Sequence, residues 1–345
     1  MSRRTTIADI AKAAGVSKGA VSYALNGRPG VSAATRERIL AIAAEMEFVP
    51  NRAARSLSVS SAQAVGIALR RSARTLGIEP YFMELISGIE ATLSAGSLGL
   101  TLQLVGSVEE ELEVYRRWWA ERRVDGVLLC DVGADDRRLE AVARLGLPAV
   151  AVGGPIEGSL LPAVWHDDAE PCREALEYLY ALGHRRVARV AGLPRLLHTT
   201  IRDAAFVEAA GDLAFESFES FHSDYSGEQG ARITRRLLTQ PGRPTALIYD
   251  NDVMAISGLG VAHELGLAVP DQLSIVAWDD SPLCRFTHPS LTAFSRDIPA
   301  YGSKCVELLL AIIEGEHSGT DRPAFSVQCT QAQLSPRGST GPLAL

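Results

Sequence analysis

Two sets of polar residues in this sequence have types and spacing suited to binding, and they lie far apart along the chain. In the first, one face of a helix over residues 18–26 would carry Lys18, Gly19, Ser22, Tyr23 and Asn26. Lysine, hydroxyl and amide side chains on one helix face can hydrogen-bond to phosphates and to base edges in the major groove of DNA. A small three-helix interaction module with a solvated polar face would show the same pattern, so periodicity alone leaves both interpretations open.

The second set consists of polar residues that directly follow strand-like apolar runs. In open parallel sheets, ligands bind beyond the carboxyl ends of the strands, and carboxylates, amides and arginines at these ends can hydrogen-bond to hydroxyl groups. Polar residues beside an apolar floor are typical of a site for a sugar or another polyhydroxylated ligand. The strand ends carry Arg70, Asp131, Asn251 and Asp279, and the floor would come from Tyr81, Phe82 or Trp278.

The charge distribution separates the two sets. The chain of 345 residues has a net charge of −7, which by itself argues against binding to nucleic acid. Residues 1–60, however, hold nine basic and four acidic residues, whereas the remainder holds 25 basic and 37 acidic residues. A small basic N-terminal part on an acidic body indicates that only the N-terminal part contacts a polyanion.

Three short helices are predicted to position the first set. Apolar residues lie on one face over residues 7–14, again over residues 21–25, and a third time over residues 39–46. Gly15 suits a left-handed turn after the first helix, and Thr6, Ser17 and Ser32 suit N-caps. A helix, a glycine-containing turn, a second helix and a supporting helix form the helix-turn-helix plan, in which the second helix enters the major groove.

The body alternates strand-like and helical segments, which is typical of α/β folds with parallel sheets flanked by helices. We predict a two-lobed domain over residues 62–335, with lobe 1 at about 62–160 and 292–320 and lobe 2 at about 161–291 and 321–335. Residues 336–345, rich in Ser, Gly and Pro and without heptads, are predicted to be a disordered tail. The predicted strands are Ala64–Leu69, Leu100–Val105, Gly126–Cys130, Ala149–Val152, Val187–Ala191, Ala246–Tyr249 and Leu273–Trp278.

The N-terminal residues resemble the head of the LacI (lactose repressor) family of bacterial transcription regulators. The resemblance is nearly continuous over residues 6–58 and is carried by Thr6–Ala11, Gly15–Ser17, Ala20–Gly27, Val31–Ile39 and Pro50–Arg52. It implies a helix-turn-helix DNA-binding domain over residues 1–50. Many relatives have Arg where this chain has Tyr23, and Gly19 offers no side chain, so the resemblance does not fix the operator sequence.

The resemblance also implies a hinge helix and linker at residues 51–61. Such a helix orders on DNA, pairs with its symmetry mate in the minor groove, and inserts a leucine between base pairs; Leu57 matches that position. Alternatively, Leu57 docks on the body while Arg52 and Arg55 stay solvated. The candidate DNA-binding residues are Thr6, Ser17, Lys18, Gly19, Ser22, Tyr23, Asn26, Arg36, Asn51, Arg52, Arg55 and Leu57.

The body resembles the periplasmic-binding-protein-like sensor of the same family, through Ala181–Val187 and Val269–Asp280. The resemblance implies that Arg202 clamps an effector, and that Asn251 and Asp279 bind it. Alternatively, Asn251 caps the helix that begins near Val253, and Asp279 caps a turn. The candidate effector-binding residues are Arg70, Tyr81, Phe82, Asp131, Arg202, Asn251, Trp278 and Asp279, although Tyr81 and Phe82 would also suit the core.

Sequence motifs for other functions are missing. No P-loop, Gly-x-Ser-x-Gly or His-Glu-x-x-His is present, and Gly258–Gly260 lies inside a helical pattern, so neither an enzyme nor a bound cofactor or metal is predicted. The five cysteines are odd in number and widely spaced, which favours buried thiols. A solute-binding protein for a transporter would share the body but would need export, and no signal peptide or membrane span is evident, so we expect a cytoplasmic protein.

The expected partners follow from the helix-turn-helix. One recognition helix covers only a short half-site, so we predict a homodimer that binds palindromic double-stranded operator DNA. The ligand would be a small-molecule effector, most simply a sugar. Whether that ligand loosens or tightens DNA binding depends on which state it prefers, so both an inducer and a corepressor stay open.

Overall fold

The computed structural model describes residues 5–25, 27, 29–48, 61–156, 158–318 and 326–343. The chain divides into two compact units, Met1–Ser61 and Ala62–Leu345, here called the head and the sensor. The predicted hinge falls outside the described residues except for Ser61. The same is true of five candidate DNA-binding residues, namely Asn26, Asn51, Arg52, Arg55 and Leu57.

Local sequence signals set the ends of the helices in the head, which are α1 (Ile7–Ala14), α2 (Lys18–Leu25) and α3 (Ala33–Glu45). At the start of α1, Thr6 and Asp9 form a reciprocal capping box, in which each side chain accepts a hydrogen bond from the other residue's N–H. Gly15 ends α1 at a φ of 64°, a left-handed conformation that costs glycine little. The Ser17 hydroxyl then accepts a hydrogen bond from the Ala20 N–H and caps α2.

The three helices of the head bury one shared core. The predicted inward faces are confirmed, because α1, α2 and α3 all contribute to this core and the polar face of α2 stays outside it. The buried residues are Ile10, Ala11, Ala14, Val21, Ala24, Ile39 and Ala43.

The sensor contains ten helices and twelve strands among the described residues. Its first half comprises β1 (Ala64–Leu69), α4 (Ala73–Ile78), α5 (Pro80–Ala95), β2 (Gly99–Leu104), α6 (Val108–Ala120), β3 (Gly126–Leu129), α7 (Arg137–Leu145), β4 (Ala149–Val152), β5 (Ala163–Trp165), α8 (Ala169–Ala181) and β6 (Arg186–Ala191). Its second half comprises α9 (Leu197–Asp212), β7 (Ser217–His222), α10 (Gly227–Leu238), β8 (Ala246–Tyr249), α11 (Asp252–Glu264), β9 (Ser274–Ala277), α12 (Pro282–Phe286), β10 (Thr292–Ser295), α13 (Ile298–Ser318), β11 (Ser326–Gln328) and β12 (Gln333–Ser335).

Two six-stranded sheets organise the sensor into two lobes. The lobe 1 sheet has the order β11-β5-β4-β3-β1-β2, with every neighbouring pair parallel. The lobe 2 sheet has the order β12-β10-β9-β8-β6-β7, and only β12 runs antiparallel to its neighbour. Along β1, Val65, Ile67 and Leu69 enter one core and Ala68 enters the core on the other face. Both faces of the sheet are therefore covered, as parallel sheets require.

The predicted lobe boundaries are wrong at three strands. Strand β5 and strand β11 belong to the lobe 1 sheet, although both lie in ranges predicted for lobe 2. Strand β10 belongs to lobe 2, although residue 292 was expected to begin the return to lobe 1. A three- or four-residue strand next to a crossover carries the same pattern whichever sheet it joins, so only the tertiary pairing decides its lobe. The chain crosses between the lobes after β5, after β10 and after β11.

The prediction of a disordered tail is wrong for residues 336–343, which pack on lobe 2. The guanidinium of Arg337 donates to both carboxylate oxygens of Asp280, at 2.7 and 2.6 Å. Ser339 is fully buried, and its hydroxyl donates to the carbonyl of Ile275 and accepts from the N–H of Thr292. Small polar residues are therefore used here to satisfy the backbone of two strands, a role that composition does not reveal.

The described residues were also compared with the features expected of disulfides, metal sites and membrane-spanning helices. All five cysteines are free thiols, and every one except Cys329 is buried. Among the described residues, no cluster of His, Cys, Asp and Glu is arranged to hold a metal ion. No helix in the same part of the chain is long and apolar enough to cross a membrane.

Candidate DNA-binding face and ligand cavity

The polar face of α2 is exposed in the head. Ser17, Lys18 and Gly19 are all exposed at its N-terminus, and the Tyr23 side chain is 45 % exposed. The ring of Tyr23 lies directly over Gly30, where an added Cβ would come within 3.2 Å of the ring. A Cβ at this position would require the ring to shift by a few tenths of an ångström, so the absence of a side chain at Gly30 leaves room for Tyr23.

Other candidate DNA-binding residues of the head have structural contacts as well. Thr6 and Ser17 cap α1 and α2, which fixes the directions of the two helix N-termini. Ser22 and Arg36 are half-buried. The structure thus gathers Ser17, Lys18, Gly19 and Tyr23 on or beside one exposed helix, and it places Arg36 on α3.

In the sensor, a cavity of about 80 Å³ lies between the lobes, where the strands of both sheets end. Lobe 1 supplies residues at or after the ends of β1, β3 and β4, His166 after β5, residues at the start of α5, and Tyr301 of α13. Lobe 2 supplies Asp168 at the N-cap of α8, residues of α9, and residues that follow β7, β8, β9 and β10. The lining residues are Arg71, Glu79, Tyr81, Phe82, Leu85, Cys130, Asp131, Val152, Gly153, His166, Asp168, His198, Arg202, Tyr225, Asp250, Asp279, Arg296 and Tyr301.

The structure brings five of the eight candidate effector residues to this cavity: Tyr81, Phe82, Asp131, Arg202 and Asp279. The other three do not line it. Arg70 turns away, and its Nε lies 2.9 Å from a Glu111 oxygen. Trp278 is fully buried, beneath the guanidinium of Arg202, whose carbon lies 3.8 Å from the ring centre.

Asn251 also differs from its predicted role, because its side chain is used within the protein. Its Oδ1 accepts a hydrogen bond from the Met254 N–H at 2.9 Å and so caps α11. Its Nδ2 donates to the carbonyl of Tyr225 at 3.1 Å. The capping alternative therefore describes Asn251 better than direct contact with a ligand does.

Arginine–aspartate pairs dominate the lobe 2 side of the cavity. Asp168 accepts hydrogen bonds from Nε and Nη2 of Arg202 at 2.9 and 2.6 Å. Arg296 donates to Asp279 at 2.5 Å. Burial has the largest single effect and would raise the pKa of Asp168, but Arg202, His198 and Arg296 together lower it further than burial raises it. Asp168 therefore stays ionised, and the hydrogen bonds that the two carboxylates accept hold both arginines in fixed positions.

Asp250 belongs to the same arrangement but is held from behind the cavity. Arg189, which is completely buried, donates to both Asp250 oxygens at 2.8 and 2.7 Å. The N–H of Gly192 donates a third hydrogen bond to this carboxylate. Desolvation would raise the pKa of Asp250, but Arg189 and then Arg202 lower it further than burial raises it.

The lobe 1 side is less completely paired. Arg71 donates to Asp131 at 3.0 Å, and its guanidinium lies between two aromatic rings, 5.4 Å from the Phe82 centroid and 5.5 Å from that of Tyr225. The Glu79 side chain is buried, and this burial raises its pKa to about 7, against the opposing effect of Arg71. Glu79 can therefore change its protonation state near neutral pH.

His166 presents an acceptor to the cavity. Its Nδ1 lies 2.9 Å from the carbonyl oxygen of Thr330, and because a carbonyl only accepts, Nδ1 carries the proton. Burial, followed by the charge of Arg296, lowers the pKa of His166 to about 4, so the ring is neutral. Its Nε2 is then an unprotonated nitrogen that can accept a hydrogen bond from a ligand.

Five polar atoms of cavity residues are buried without a hydrogen-bond partner in the described structure. Buried polar groups are almost always hydrogen-bonded, so a cluster of exceptions at one cavity indicates a place where a polar ligand completes the network. The set contains acceptors and donors. Its members are Glu79 Oε2, Asp131 Oδ2, His166 Nε2, Arg71 Nε and Arg296 Nε.

Sequence reasoning missed several lining residues, for identifiable reasons. Arg71 lies next to the predicted Arg70, and a one-residue difference at a strand end decides which side chain faces the cavity. Tyr225 follows β7, whose polar sequence Ser217–His222 does not resemble a strand. Glu79 lies between α4 and α5 and so does not follow a strand. His198 lies in the first turn of α9, and Arg296 follows β10, a strand that is not among those predicted.

Comparisons with known protein families agree with this architecture. Residues 6–51 match the family described as bacterial regulatory proteins, lacI family. Residues 176–340 match the periplasmic binding protein-like domain. The predicted fold class, a helical head and a two-lobed α/β sensor, is confirmed.

The relatives cover nearly the whole chain. The transcriptional regulator MalR of Streptomyces coelicolor is 32 % identical over 357 residues, which span 97 % of this chain and 96 % of MalR. The regulator reg1 of Streptomyces lividans is 33 % identical over 349 residues, which span 97 % of this chain and 96 % of reg1. Both are named as transcriptional regulators, in agreement with the prediction that the chain is not an enzyme.

Two solved structures extend the comparison to three dimensions. The lac repressor dimer bound to operator and the anti-inducer ONPF has a TM-score of 0.85 and 25 % identity, covering 99 % of this chain and 100 % of that chain. The complex of the regulator CelR with cellobiose has a TM-score of 0.73 and 27 % identity, covering 97 % of this chain and 100 % of that chain. The chain therefore belongs to the LacI family of bacterial transcriptional regulators.

Proposed function

We propose that the protein is a repressor whose affinity for operator DNA is controlled by a sugar bound between the two lobes of the sensor. The observation that carries this proposal is the set of five unpartnered buried polar atoms around one inter-lobe cavity. Hydroxyl groups both donate and accept, so a polyhydroxylated ligand can complete all five. The complex of the related CelR with cellobiose supports a sugar.

The size of the cavity favours a small sugar. One water needs about 10–15 Å³ of such space, so a cavity of about 80 Å³ has room for several water-sized groups. That amount suits one sugar ring and its hydroxyls better than a long oligosaccharide. Tyr81 and Phe82 supply an apolar surface on the lobe 1 side, beside the polar groups.

Operator binding is proposed for the exposed face of α2. Lys18 and Tyr23 are the side chains best placed to contact bases or phosphates, and the basic charge of residues 1–60 suits a polyanion. Asn26, Asn51, Arg52, Arg55 and Leu57 remain predictions from the sequence resemblance.

A homodimer on a palindromic operator is part of the proposal. Two recognition helices are needed to cover two half-sites. Exposed apolar residues of the sensor support self-association: Phe286 and Leu283 on α12 are 79 % and 42 % exposed. Leu102 and Leu104 are exposed on the edge strand β2. Apolar side chains of this kind favour burial against a second copy of the chain.

The proposed coupling acts through the lobes. A ligand that contacts both lobes favours the lobe arrangement it fits best, and this arrangement decides whether the hinge segments of a dimer can pair on DNA. A ligand that favours the paired state acts as a corepressor, and one that favours the separated state acts as an inducer.

A gel-shift titration tests the proposal with the full-length protein. A palindromic operator selected in vitro from random DNA would be titrated with and without neutral mono- and disaccharides. We expect specific binding that at least one sugar changes severalfold. Arg202→Ala should remove this response, whereas Arg173→Ala, at a surface arginine paired with Glu170 and Glu208, should keep it. Operator affinity that no sugar alters would contradict regulation by a sugar, and absence of specific DNA binding would contradict the repressor.

A further inference from the structure

Every carboxylate that lines the cavity, with the exception of Glu79, has an arginine within ion-pair distance in the described structure. Arg71 pairs with Asp131, Arg202 with Asp168 and Arg296 with Asp279, and Arg189 holds Asp250 from behind. These pairs cancel, leaving Glu79 as the fifth carboxyl group of the cavity lining. In the described part of the chain, no Lys, Arg or His nitrogen lies within ion-pair distance, 4.0 Å, of a Glu79 oxygen.

Glu79 is not explained by the local structure of its own segment. It lies at the N-cap position of α5, but its side chain makes no capping hydrogen bond. The residue is only 7 % exposed, and its Oε2 has no hydrogen-bond partner among the described residues. Burial raises its pKa to about 7, while Arg71 and the Asn251 side chain act to lower it. A buried carboxylate without its own cation is unfavourable until a partner supplies the missing charge.

The two histidines that line the cavity in the described structure do not supply that charge. His166 and His198 also line the cavity, but burial lowers the pKa of each to about 4, so both are neutral at physiological pH. Asp131 Oδ2 and His166 Nε2 are further unpartnered acceptors. The cavity therefore lacks a positive charge for Glu79, and its described residues leave three acceptors but only two donors unpartnered.

We infer that the effector carries a protonated amino group that pairs with Glu79, so that the ligand is a small polyhydroxylated amine of the amino-sugar class. This inference rests on the proposed function, in which a sugar-sized ligand binds between the lobes. An ammonium group brings the missing charge together with three donors on one nitrogen, whereas a hydroxyl brings one donor and no charge. Charge-assisted hydrogen bonds are also the stronger ones in a desolvated site.

Matched sugar pairs test the inference. Calorimetric titration at pH 7 of the full-length protein would compare D-glucose with D-glucosamine, D-galactose with D-galactosamine, and D-mannose with D-mannosamine. We expect the amino member of at least one pair to bind about tenfold to a hundredfold more tightly than its neutral counterpart. In Glu79→Gln, which keeps the shape of the side chain but cannot carry the charge, this preference should disappear.

Glu84→Gln is the matched control. Glu84 lies on the same helix and is partly exposed, but it does not line the cavity, so its removal should leave the preference unchanged. The melting temperature of each variant without sugar shows that it is folded. Because Glu79→Gln removes a buried unpaired carboxyl, its melting temperature should equal or exceed that of the wild type.

The outcomes separate the inference from the proposed function. Neutral sugars that bind as tightly as their amino counterparts, and still alter operator affinity, overturn the inference but leave sugar regulation intact. An amino preference that persists in Glu79→Gln overturns the assignment to Glu79. Absence of binding by every sugar of both kinds counts against the sugar-regulated repressor, and the inference is then lost with it.

Discussion

The two lobes build their sides of the cavity in different ways. In lobe 2, Asp168, Asp250 and Asp279 each accept close hydrogen bonds from an arginine. In lobe 1, four cavity residues have a buried polar atom without a hydrogen-bond partner. Among the described cavity residues of lobe 2, only Arg296 has such an atom. The four in lobe 1 are Arg71, Glu79, Asp131 and His166.

This difference indicates a division of labour in binding. Paired charges held by several hydrogen bonds have fixed positions before a ligand arrives, and they cost no reorganisation when it binds. Unpartnered groups gain most from a ligand, because they exchange a buried unsatisfied state for a satisfied one. Lobe 2 therefore supplies a rigid polar frame, and lobe 1 supplies the groups that distinguish one ligand from another.

Removing an arginine from the polar frame of lobe 2 should have the largest effect on the free energy of unfolding. In Arg202→Ala, the buried Asp168 loses the partner of both its hydrogen bonds, and Trp278 loses the guanidinium that covers it. Removing one partner of a buried pair typically costs about 3–5 kcal/mol of the free energy of unfolding. Urea unfolding followed by tryptophan fluorescence measures this in the sensor, since all four tryptophans lie there.

A surface arginine and a double variant serve as controls for this measurement. Arg173→Ala should cost under about 1 kcal/mol, because its pairs with Glu170 and Glu208 are partly exposed. Arg202→Ala combined with Asp168→Ala should be less destabilised than the sum of the two single changes, because no lone charge is left. Additive losses would contradict the pairing described for lobe 2.

In lobe 1, Glu79→Gln should stabilise the protein without ligand, increasingly so at higher pH. The pKa of Glu79 is raised from 4.5 to about 7, so the folded state favours its neutral form. The contribution of Glu79 to the free energy of unfolding is fully present below pH 4.5 and is lost as the pH rises through 7. This change amounts to about 3 kcal/mol. The melting temperature of Glu79→Gln relative to wild type should therefore rise between pH 5 and pH 8.

The comparison with Glu79→Gln isolates this group from others that titrate in the same range. The pKa values of His166 and His198 are lowered to about 4, so these two residues have the opposite pH dependence. Their contribution to the free energy of unfolding is lost as the pH falls from 6.5 through 4. The histidines are common to both proteins, so their effect cancels in the difference. A difference in melting temperature that stays constant from pH 5 to pH 8 would show that the Glu79 pKa is ordinary.

The head and the fold of the sensor could be predicted because their signals are local. Thr6, Gly15 and Ser17 mark helix ends by their own backbone and side-chain chemistry, and most strands of the sensor are short apolar runs. The lobe membership of β5, β10 and β11 could not be predicted, because it depends on pairing between strands far apart in sequence. The ordered tail was missed for the same reason, since Arg337 and Ser339 bind residues more than 45 positions away.

The cavity was only partly predictable. Polar residues after strands correctly indicated Asp131 and Asp279 as lining residues, and the family resemblance indicated Arg202. The sequence does not show which of these polar side chains have hydrogen-bond partners within the protein and which do not. Asn251 and Glu79 are both polar residues next to a helix start, yet one is consumed by capping and the other is left open.

A change at Asn251, whose side chain is hydrogen-bonded within lobe 2, should have an effect of intermediate size. Asn251→Ala removes the cap of α11 and the hydrogen bond to the Tyr225 carbonyl, so we expect a loss of about 1–2 kcal/mol in the free energy of unfolding. Asn251→Ser retains a capping oxygen and should lose less. Urea unfolding of the two variants measures the difference, and equal losses would mean that the cap contributes nothing.

The smallest effect is expected at the exposed ion pair that joins the lobes. Nη2 of Arg74, on α4 of lobe 1, lies 2.6 Å from Oε1 of Glu228, on α10 of lobe 2, but the two side chains are 78 % and 64 % exposed. Solvent and salt screen such a pair, so Arg74→Ala should change ligand affinity by less than about fivefold, and less still at high salt. Arg71→Ala provides the contrast, because Arg71 is buried, pairs with Asp131 and contacts the Tyr225 ring across the lobes. Calorimetric titration of both variants with the same sugar would rank them. If Arg74→Ala weakened binding as much as Arg71→Ala, the lobes would be held together by their surface, and the buried frame would lose its proposed role in ligand selection.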